Sequence, residues 1–158
     1  MNSGIRLIDQ SLLAEVSAEA KASPRGRKNR NFHPADDYPA HRLLNAIEPG
    51  SYIVPHRHVV AEKDETILCL RGRLGLIVFD EAGSILKKVV LEPAGATLGV
   101  DIPHRVYHTA LALESGTVFL EAKSGPYVPL GPAEVAIWAP AEGSAESAVL
   151  WAEWRRLF

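Results

Sequence analysis

Six histidines carry the clearest chemical potential of this sequence, and four of them form two close pairs. His56 and His58 are separated by one residue, and His104 and His108 by three. Because side chains alternate between the faces of a β-strand, an extended chain would direct His56 and His58 to the same side. Two imidazoles in one enclosed space need a common partner, since their unpaired burial is costly. A divalent metal ion is such a partner, whereas the same pair on an outer sheet face would be solvated and idle.

The segments that must position these histidines predict an all-β architecture. From Arg42 onward, short apolar runs alternate with Gly, Pro and Asp at intervals of about ten residues, which is typical of a sandwich or barrel. The predicted strands are RLLNAIE, SYIVPHRHV, ETILCLRG, RLGLIVFD, SILKKVVLE, ATLGVDI, VYHTALALE and TVFLEAKS. No helical pattern interrupts them, so we expect antiparallel strands that close on themselves.

Helical periodicity occurs only at the two ends of the chain. The spacing of apolar residues predicts a short amphipathic helix from about Ile5 to Ala20, capped by Asp9 or Ser11. The final AVLWAEWRRLF predicts a second helix, preceded by an extended wrap over the barrel. We therefore expect an N-terminal helix and basic segment over residues 1–41, a barrel over 42–125 and a packed C-terminal extension over 126–158, in a single domain overall.

A basic segment, KASPRGRKNRNFHPADDYP, follows the first helix and is too rich in Pro, Arg and Asn to predict a regular element. An Arg side chain grips phosphate or carboxylate with a planar fork, so this segment is either a solvated loop or an anion site. Under the second interpretation, the candidate ligand-binding residues are Arg25, Arg27, Asn29, Arg42 and His104.

Composition limits the class of partner. The 158 residues are 47% hydrophobic and 23% charged with a net charge of −2, which favours a folded protein and disfavours nucleic acid as partner. No apolar run approaches the length of a membrane span. The single cysteine, Cys69, excludes an internal disulfide framework and a multi-cysteine zinc site. The N-terminus lacks a secretory pattern, so a cytoplasmic location is expected.

The spacing around the first histidine pair resembles the first motif of the cupin superfamily. Gly50, five residues, His56, one residue and His58 match it, as do Glu65, six residues and Gly72, with a longer gap between His58 and the glutamate. That gap leaves Glu62 as an alternative ligand. We prefer Glu65 because it opens the strand ETILCLRG, whereas Glu62 falls in the intervening turn.

The second histidine pair resembles the second cupin motif, which contains Pro-x-Gly-x-x-His. The match runs from Pro103 to His108, with Arg105 in place of the motif's glycine. This register implies that His108 is the fourth ligand, and an alternative register implies His104.

Longer strings, among them SPRGRKNRNFH, HRLLNAIEPGSYIVPHRH and ALESGTVFLEAKSGPYVP, resemble the WbuC-type cupin-fold metalloproteins of bacteria over nearly the whole chain. The resemblance implies a cupin double-stranded β-helix, or jelly-roll barrel. It also implies one divalent metal ion, held by His56, His58, Glu65 and His108. Ligand type allows Zn, Fe, Mn, Ni or Co.

The resemblance implies no settled reaction. The leading hypothesis is a metal-binding cupin that acts on or binds a small anionic carbohydrate or nucleotide-sugar-type ligand in polysaccharide metabolism. The alternatives are an Fe(II)-dependent cupin dioxygenase and a non-catalytic protein that senses a sugar or metal. A metal-free sugar epimerase is less favoured, because such enzymes use a His-Asp pair. By analogy with other cupins, we expect a homodimer.

Overall fold

The computed structural model describes residues 4–158, which form two antiparallel sheets flanked by two helices. The helices are α1 (Gln10–Ala22) and α2 (Ala145–Arg155). The strands are β1 (Arg27–Asn31), β2 (Ala40–Ile47), β3 (Glu65–Arg71), β4 (Leu74–Phe79), β5 (Ile85–Leu91), β6 (Gly99–Ile102), β7 (Tyr107–Ala112) and β8 (Thr117–Ser124). One sheet has the order β1-β2-β8-β3-β6 and the other β5-β4-β7. This architecture confirms the all-β prediction with a short helix near each end.

Three apolar clusters explain how the layers hold together. The central cluster contains Ile47, Ile67, Cys69, Leu76 and Phe119, and draws on both sheets. The helices cover the outer faces in two further clusters. α1 packs on the five-stranded sheet, and α2 packs on the three-stranded sheet together with the wrap, residues 126–144, which contributes Trp138. Burial of apolar surface from both sides fixes the sheets, so the polar residues between them stand on a rigid scaffold.

Two sequence predictions of local structure were wrong. The segment SYIVPHRHV forms no regular strand, only isolated bridges from His56 to His108 and to Val135. The basic segment, expected to be irregular, contains β1, which pairs along the edge of the five-stranded sheet. In both cases long-range main-chain pairing overrode local composition, which is a weak guide for strands.

The first helix begins later than its periodicity predicts. It starts at Gln10 rather than near Ile5, and Asp9 caps it by accepting a hydrogen bond from the backbone of Leu12 (3.0 Å). Over residues 4–158, no helix has both the length and the apolar character that crossing a membrane requires.

Candidate metal centre

His56 and His108 are brought together by the main chain. The backbone N–H of His56 donates to the carbonyl of His108 (3.0 Å), and that of His108 donates to the carbonyl of His56 (2.9 Å). The C-terminal wrap supports the other side of this segment, where the backbone of Ala136 donates to Pro55 and that of Arg57 to Glu134 (both 2.9 Å). The PHRH segment is thus held extended between β7 and the wrap without belonging to a regular strand.

The structure clusters three of the predicted ligand side chains between the sheets and places the fourth, His108, against two of them. Ligand atoms of His56, His58 and Glu65 lie within 4.8 Å of one another. The Glu65 Oε2 atom is 3.4 Å from Nε2 of both His58 and His108. The ring centroids of His56 and His108 are 4.7 Å apart.

Backbone carbonyls fix the orientation of two of the imidazoles. The Nδ1 atom of His56 donates to the carbonyl of Val54 (3.0 Å), and that of His108 to the carbonyl of Val106 (2.9 Å). In a neutral imidazole with a proton on Nδ1, Nε2 is a lone-pair donor. A hydrogen bond of this kind from the non-coordinating nitrogen is usual for metal-binding histidines, because it sets both tautomer and ring direction.

Glu65 supplies the observation that tests whether a metal fits. Its side chain is 4% exposed, and Oε2 has no hydrogen-bond partner of acceptable geometry. A buried carboxylate oxygen without a partner is costly, and here it faces imidazole nitrogens that also offer lone pairs. Three nitrogens and one oxygen converging on a single space form a donor set suited to a divalent ion. The residues present therefore fit the metal that the resemblance implies.

The charges around the centre reinforce this arrangement. Burial acts to raise the pKa of Glu65, but His108, His58 and Lys123 lower it well below its usual value, so the side chain is a carboxylate. Burial, with a smaller contribution from His108, lowers the pKa of His56 to about 3, so its imidazole is neutral. A carboxylate and a neutral imidazole are the protonation states that a metal ion requires.

A buried ion pair that sequence reasoning missed adjoins the centre. The ammonium of Lys123 lies 2.6 Å from Glu121 Oε1, 3.7 Å from Glu65 Oε1 and 3.4 Å from Nε2 of His58. Burial and the charge of Glu65 raise the pKa of Glu121 to about 7. The strand TVFLEAKS could have revealed this pair. Glu121 and Lys123 follow Phe119 at every second position, so they lie on the same inward face as Phe119.

Glu134, in the wrap, is a second residue that the sequence did not reveal. Its Oε1 lies 3.7 Å from Nδ1 of His58, on the side of the ring away from Glu65. The carboxylate is held by the backbone N–H groups of Gly131 (2.9 Å) and Val59 (3.4 Å). Glu134 is therefore placed to orient His58 as the carbonyls orient the other two imidazoles.

The alternative ligands lie elsewhere. Glu62 is exposed in the turn before β3. His104 is paired through Nδ1 with Asp64 (2.8 Å), and its side chain is 34% exposed. The structure thus brings Glu65 rather than Glu62, and His108 rather than His104, to the centre.

The turn that presents His108 has a left-handed residue at Arg105, where the sequence motif has glycine. Arg105 has φ +66°, the left-handed region that glycine adopts without strain. Its backbone N–H donates to the carbonyl of His58 (2.6 Å), which ties the two histidine segments together. At the end of the first motif, Gly72 has φ +73°, and a Cβ there would lie 2.9 Å from the Cα of Thr117.

Three of the predicted ligand-binding residues, Arg25, Arg27 and Asn29, line one cavity of about 300 Å³ beside β1 and β2. Arg25 and Arg27 both bind Glu142 of the wrap (2.7 and 2.8 Å), so their charges are already paired. Arg42 donates to the carbonyl of Ala40 (2.7 Å). Only Asn29 lines a cavity that adjoins the centre.

Two cavities open onto this region. One, of about 200 Å³, is lined by His56, His58 and the segment from Pro126 to Leu130. The second, of about 320 Å³, is lined by polar residues of β1, β2 and β8. A small molecule therefore has room beside the candidate ligands.

Residues 8–91 match a family described as Domain of unknown function (DUF6016), which is just over half of the chain. The chain belongs to this family. The matched range of this DUF6016 protein includes His56, His58 and Glu65 and ends before His108. No curated protein matches the sequence.

Solved structures with a similar fold are cupin proteins. KdgF from Halomonas sp. is 19% identical, with a TM-score of 0.49 over 65% of this chain and 81% of KdgF. Oxalate decarboxylase from Bacillus subtilis, a protein with Mn(II) centres, is 16% identical, with a TM-score of 0.50 over 70% of this chain and 28% of the decarboxylase. Oxalate oxidase in complex with the substrate analogue glycolate is 13% identical, with a TM-score of 0.50 over 68% and 56%. The DUF6016 chain thus has the predicted jelly-roll fold, and it spans less than two thirds of either oxalate enzyme.

Proposed function

We propose that this protein is a divalent-metal-binding cupin in which the ion, held by His56, His58, Glu65 and His108, receives a small anionic ligand. The observation that carries the proposal is the buried Glu65 Oε2 atom, which lacks a hydrogen-bond partner and faces two imidazole nitrogens at 3.4 Å. A cation between these atoms would satisfy all of them at once.

The charges of the chain support an anionic ligand. A divalent ion with three neutral imidazoles and one carboxylate keeps residual positive charge and an open position, where a ligand oxygen can bind and be polarised. The ammonium of Lys123 lies beside Glu65 and adds to the positive potential on the cavity side. Its partner Glu121 stands next to it and is placed to accept or release a proton near neutral pH.

The identity of the ligand extends this proposal. The sequence strings that resemble WbuC-type cupins support a carbohydrate or nucleotide-sugar-type ligand and a role in polysaccharide metabolism. A homodimer and a cytoplasmic location stay predictions. Arg25 and Arg27 would contribute to anion binding only after releasing Glu142, to which both are bound.

Metal analysis of protein purified without a nickel-binding tag or chelator tests the proposal. We expect about one divalent ion per chain, bound by the three nitrogens and one oxygen of the centre. The variants His56→Ala and His108→Ala should lose it, whereas the matched controls His104→Ala and Glu62→Gln should keep it. Equal metal content in all four variants would refute the proposed ligand set.

Oxygen uptake by the metal-loaded protein separates the catalytic possibilities. Iron together with oxygen consumption would point to a dioxygenase, and metal without turnover of nucleotide sugars or small acids would point to a binding protein. Both results are compatible with the proposed metal ligands, because the geometry of the site defines how the metal is held and not which reaction follows.

A further inference from the structure

The polar cavity of about 320 Å³ adjoins the smaller cavity over the candidate metal centre. The two share His41, Lys123 and Tyr127 as lining residues. A molecule anchored at the centre therefore lies next to the larger space, with Lys123 and Tyr127 at the boundary. Tyr127 is 58% exposed and lines both cavities, so its ring is available to a ligand that occupies them.

The lining of the larger cavity is polar on a sheet face that is apolar farther along. Asn29 pairs with Asn45 across β1 and β2, and Asn45 pairs with Phe119 across β2 and β8. Residues paired across an antiparallel ladder share a face, so the asparagines stand on the face that carries Phe119 of the central apolar cluster. Asn29 is exposed and Asn45 is half-buried beside the cavity, so both amides are accessible to a ligand that occupies it.

The asparagine side chains form two separate hydrogen bonds and leave other donor and acceptor positions free. The amide of Asn29 donates to Asn31 Oδ1 (2.7 Å), and that of Asn45 donates to Glu121 Oε2 (2.7 Å). Within residues 4–158, no hydrogen bond uses the side-chain Oδ1 atom of Asn45 or the side-chain Nδ2 atom of Asn31. Adjacent amide donors, amide acceptors and a carboxylate are the groups that recognise hydroxyls, which both donate and accept.

Building on the proposed function, we infer that one ligand spans both cavities and that it is a polyhydroxy carboxylate, such as a sugar acid. Its carboxylate lies at the metal, beside the ammonium of Lys123. Its hydroxyl-bearing part contacts Asn29, Asn45 and Glu121. The larger cavity is thus the specificity subsite, and its asparagines distinguish a sugar acid from a simple carboxylate.

Titration calorimetry on the metal-loaded protein tests this inference. The probes are glucuronate, galacturonate and gluconate, each compared with its neutral parent sugar or polyol and with acetate. We expect at least one sugar acid to bind about tenfold or more tightly than acetate and than its neutral parent, because only it combines a carboxylate for the metal with hydroxyls for the larger cavity. Asn29 lies at an exposed position of an edge strand. Asn29→Ala should weaken the binding of that sugar acid by about threefold to tenfold, which corresponds to the loss of one hydrogen bond. Metal content and acetate affinity should not change.

Asn45→Ala is the second cavity variant and should also weaken sugar-acid binding. Lys87→Ala, at an exposed position of β5, is the control and should leave every affinity unchanged. Metal-loaded protein that binds no sugar acid more tightly than acetate would overturn the subsite while leaving the proposed function intact. Sugar-acid binding that neither asparagine variant weakens would also overturn it. A wild-type protein that takes up no metal would overturn the proposed function and, with it, the bridging ligand.

Discussion

Removal of the metal should lower the thermal stability of this protein by an amount that its ligand residues control. The perturbation is His56→Ala, measured as the difference in Tm between protein with added divalent ion and protein with chelator. His56 is half-buried and lines the smaller cavity, and its pKa of about 3 means that no proton competes for Nε2 near neutral pH. Truncation of the imidazole therefore removes a ready metal ligand.

Linkage gives the magnitude. An ion that binds only the folded state, at a free concentration of about 100 times Kd, stabilises it by about 2.7 kcal/mol. For a chain of 158 residues, each kcal/mol corresponds to about 2–4 °C in Tm. The wild-type protein should therefore gain about 5–11 °C on metal addition. Because the comparison is made within each variant, any packing defect of His56→Ala cancels, and its gain should fall to nearly zero.

Differential scanning fluorimetry over a series of metal concentrations is a suitable assay. The control is His104→Ala, which removes a histidine that is bound to Asp64 rather than placed at the centre. It should keep the full gain, whereas His108→Ala should lose it. A gain that persists in His56→Ala, or that disappears in His104→Ala and persists in His108→Ala, would refute the assignment of ligands.

Three further predictions concern backbone strain, an ion pair and pH. Arg105→Gly should raise Tm by about 1–4 °C in calorimetry. The change relieves about 1–2 kcal/mol of left-handed backbone strain, and about 0.5–1 kcal/mol of this gain is lost because glycine gives the unfolded chain more conformational entropy. An unchanged or lower Tm would contradict this prediction. Arg25 lowers the pKa of Glu142 to about 2, so that pair stabilises the fold above the carboxyl's ordinary pKa and loses its effect as pH falls through about 2. In denaturant titrations, Glu142→Gln should therefore lower the free energy of unfolding by about 1 kcal/mol or less near pH 7 and leave it unchanged near pH 2. An equal loss of stability at both pH values would exclude the ion pair as its cause. Burial acts to lower the pKa of His108, but Glu65 raises it above its usual value, so a proton competes with the metal for this imidazole as pH falls. Metal affinity, measured by competition with a chelator, should therefore fall as pH drops, and a flat profile would argue against this ligand.

Strands with a strong apolar pattern were predictable from sequence. TVFLEAKS corresponds to β8 (Thr117–Ser124), and ETILCLRG and RLGLIVFD contain β3 and β4. The SYIVPHRHV segment was predicted as a strand because its composition suits one, yet it has a ladder partner only at His56. β1 was missed for the opposite reason, since its residues are polar and its pairing with β2 supplies the order that composition does not.

The ligand types were also legible in the sequence. Spacing alone placed two imidazoles on one side of an extended chain, and the strand that opens at Glu65 favoured that carboxylate over Glu62. Whether His104 or His108 approaches the centre was beyond local reasoning, because both fit a register. The left-handed turn at Arg105 and the main-chain pairing of His56 with His108 decide it in the structure.

The sequence by itself determined the class of fold, the kind of metal donor and the absence of a disulfide framework, because these follow from residue type and short-range periodicity. The surroundings of the centre were decided only by the tertiary structure. Lys123 and Glu121 on β8, and Glu134 in the wrap, reach the histidines from distant parts of the chain. Their contacts depend on which strands are neighbours and which faces meet, and that is set by the packing of two sheets around one core rather than by any local pattern.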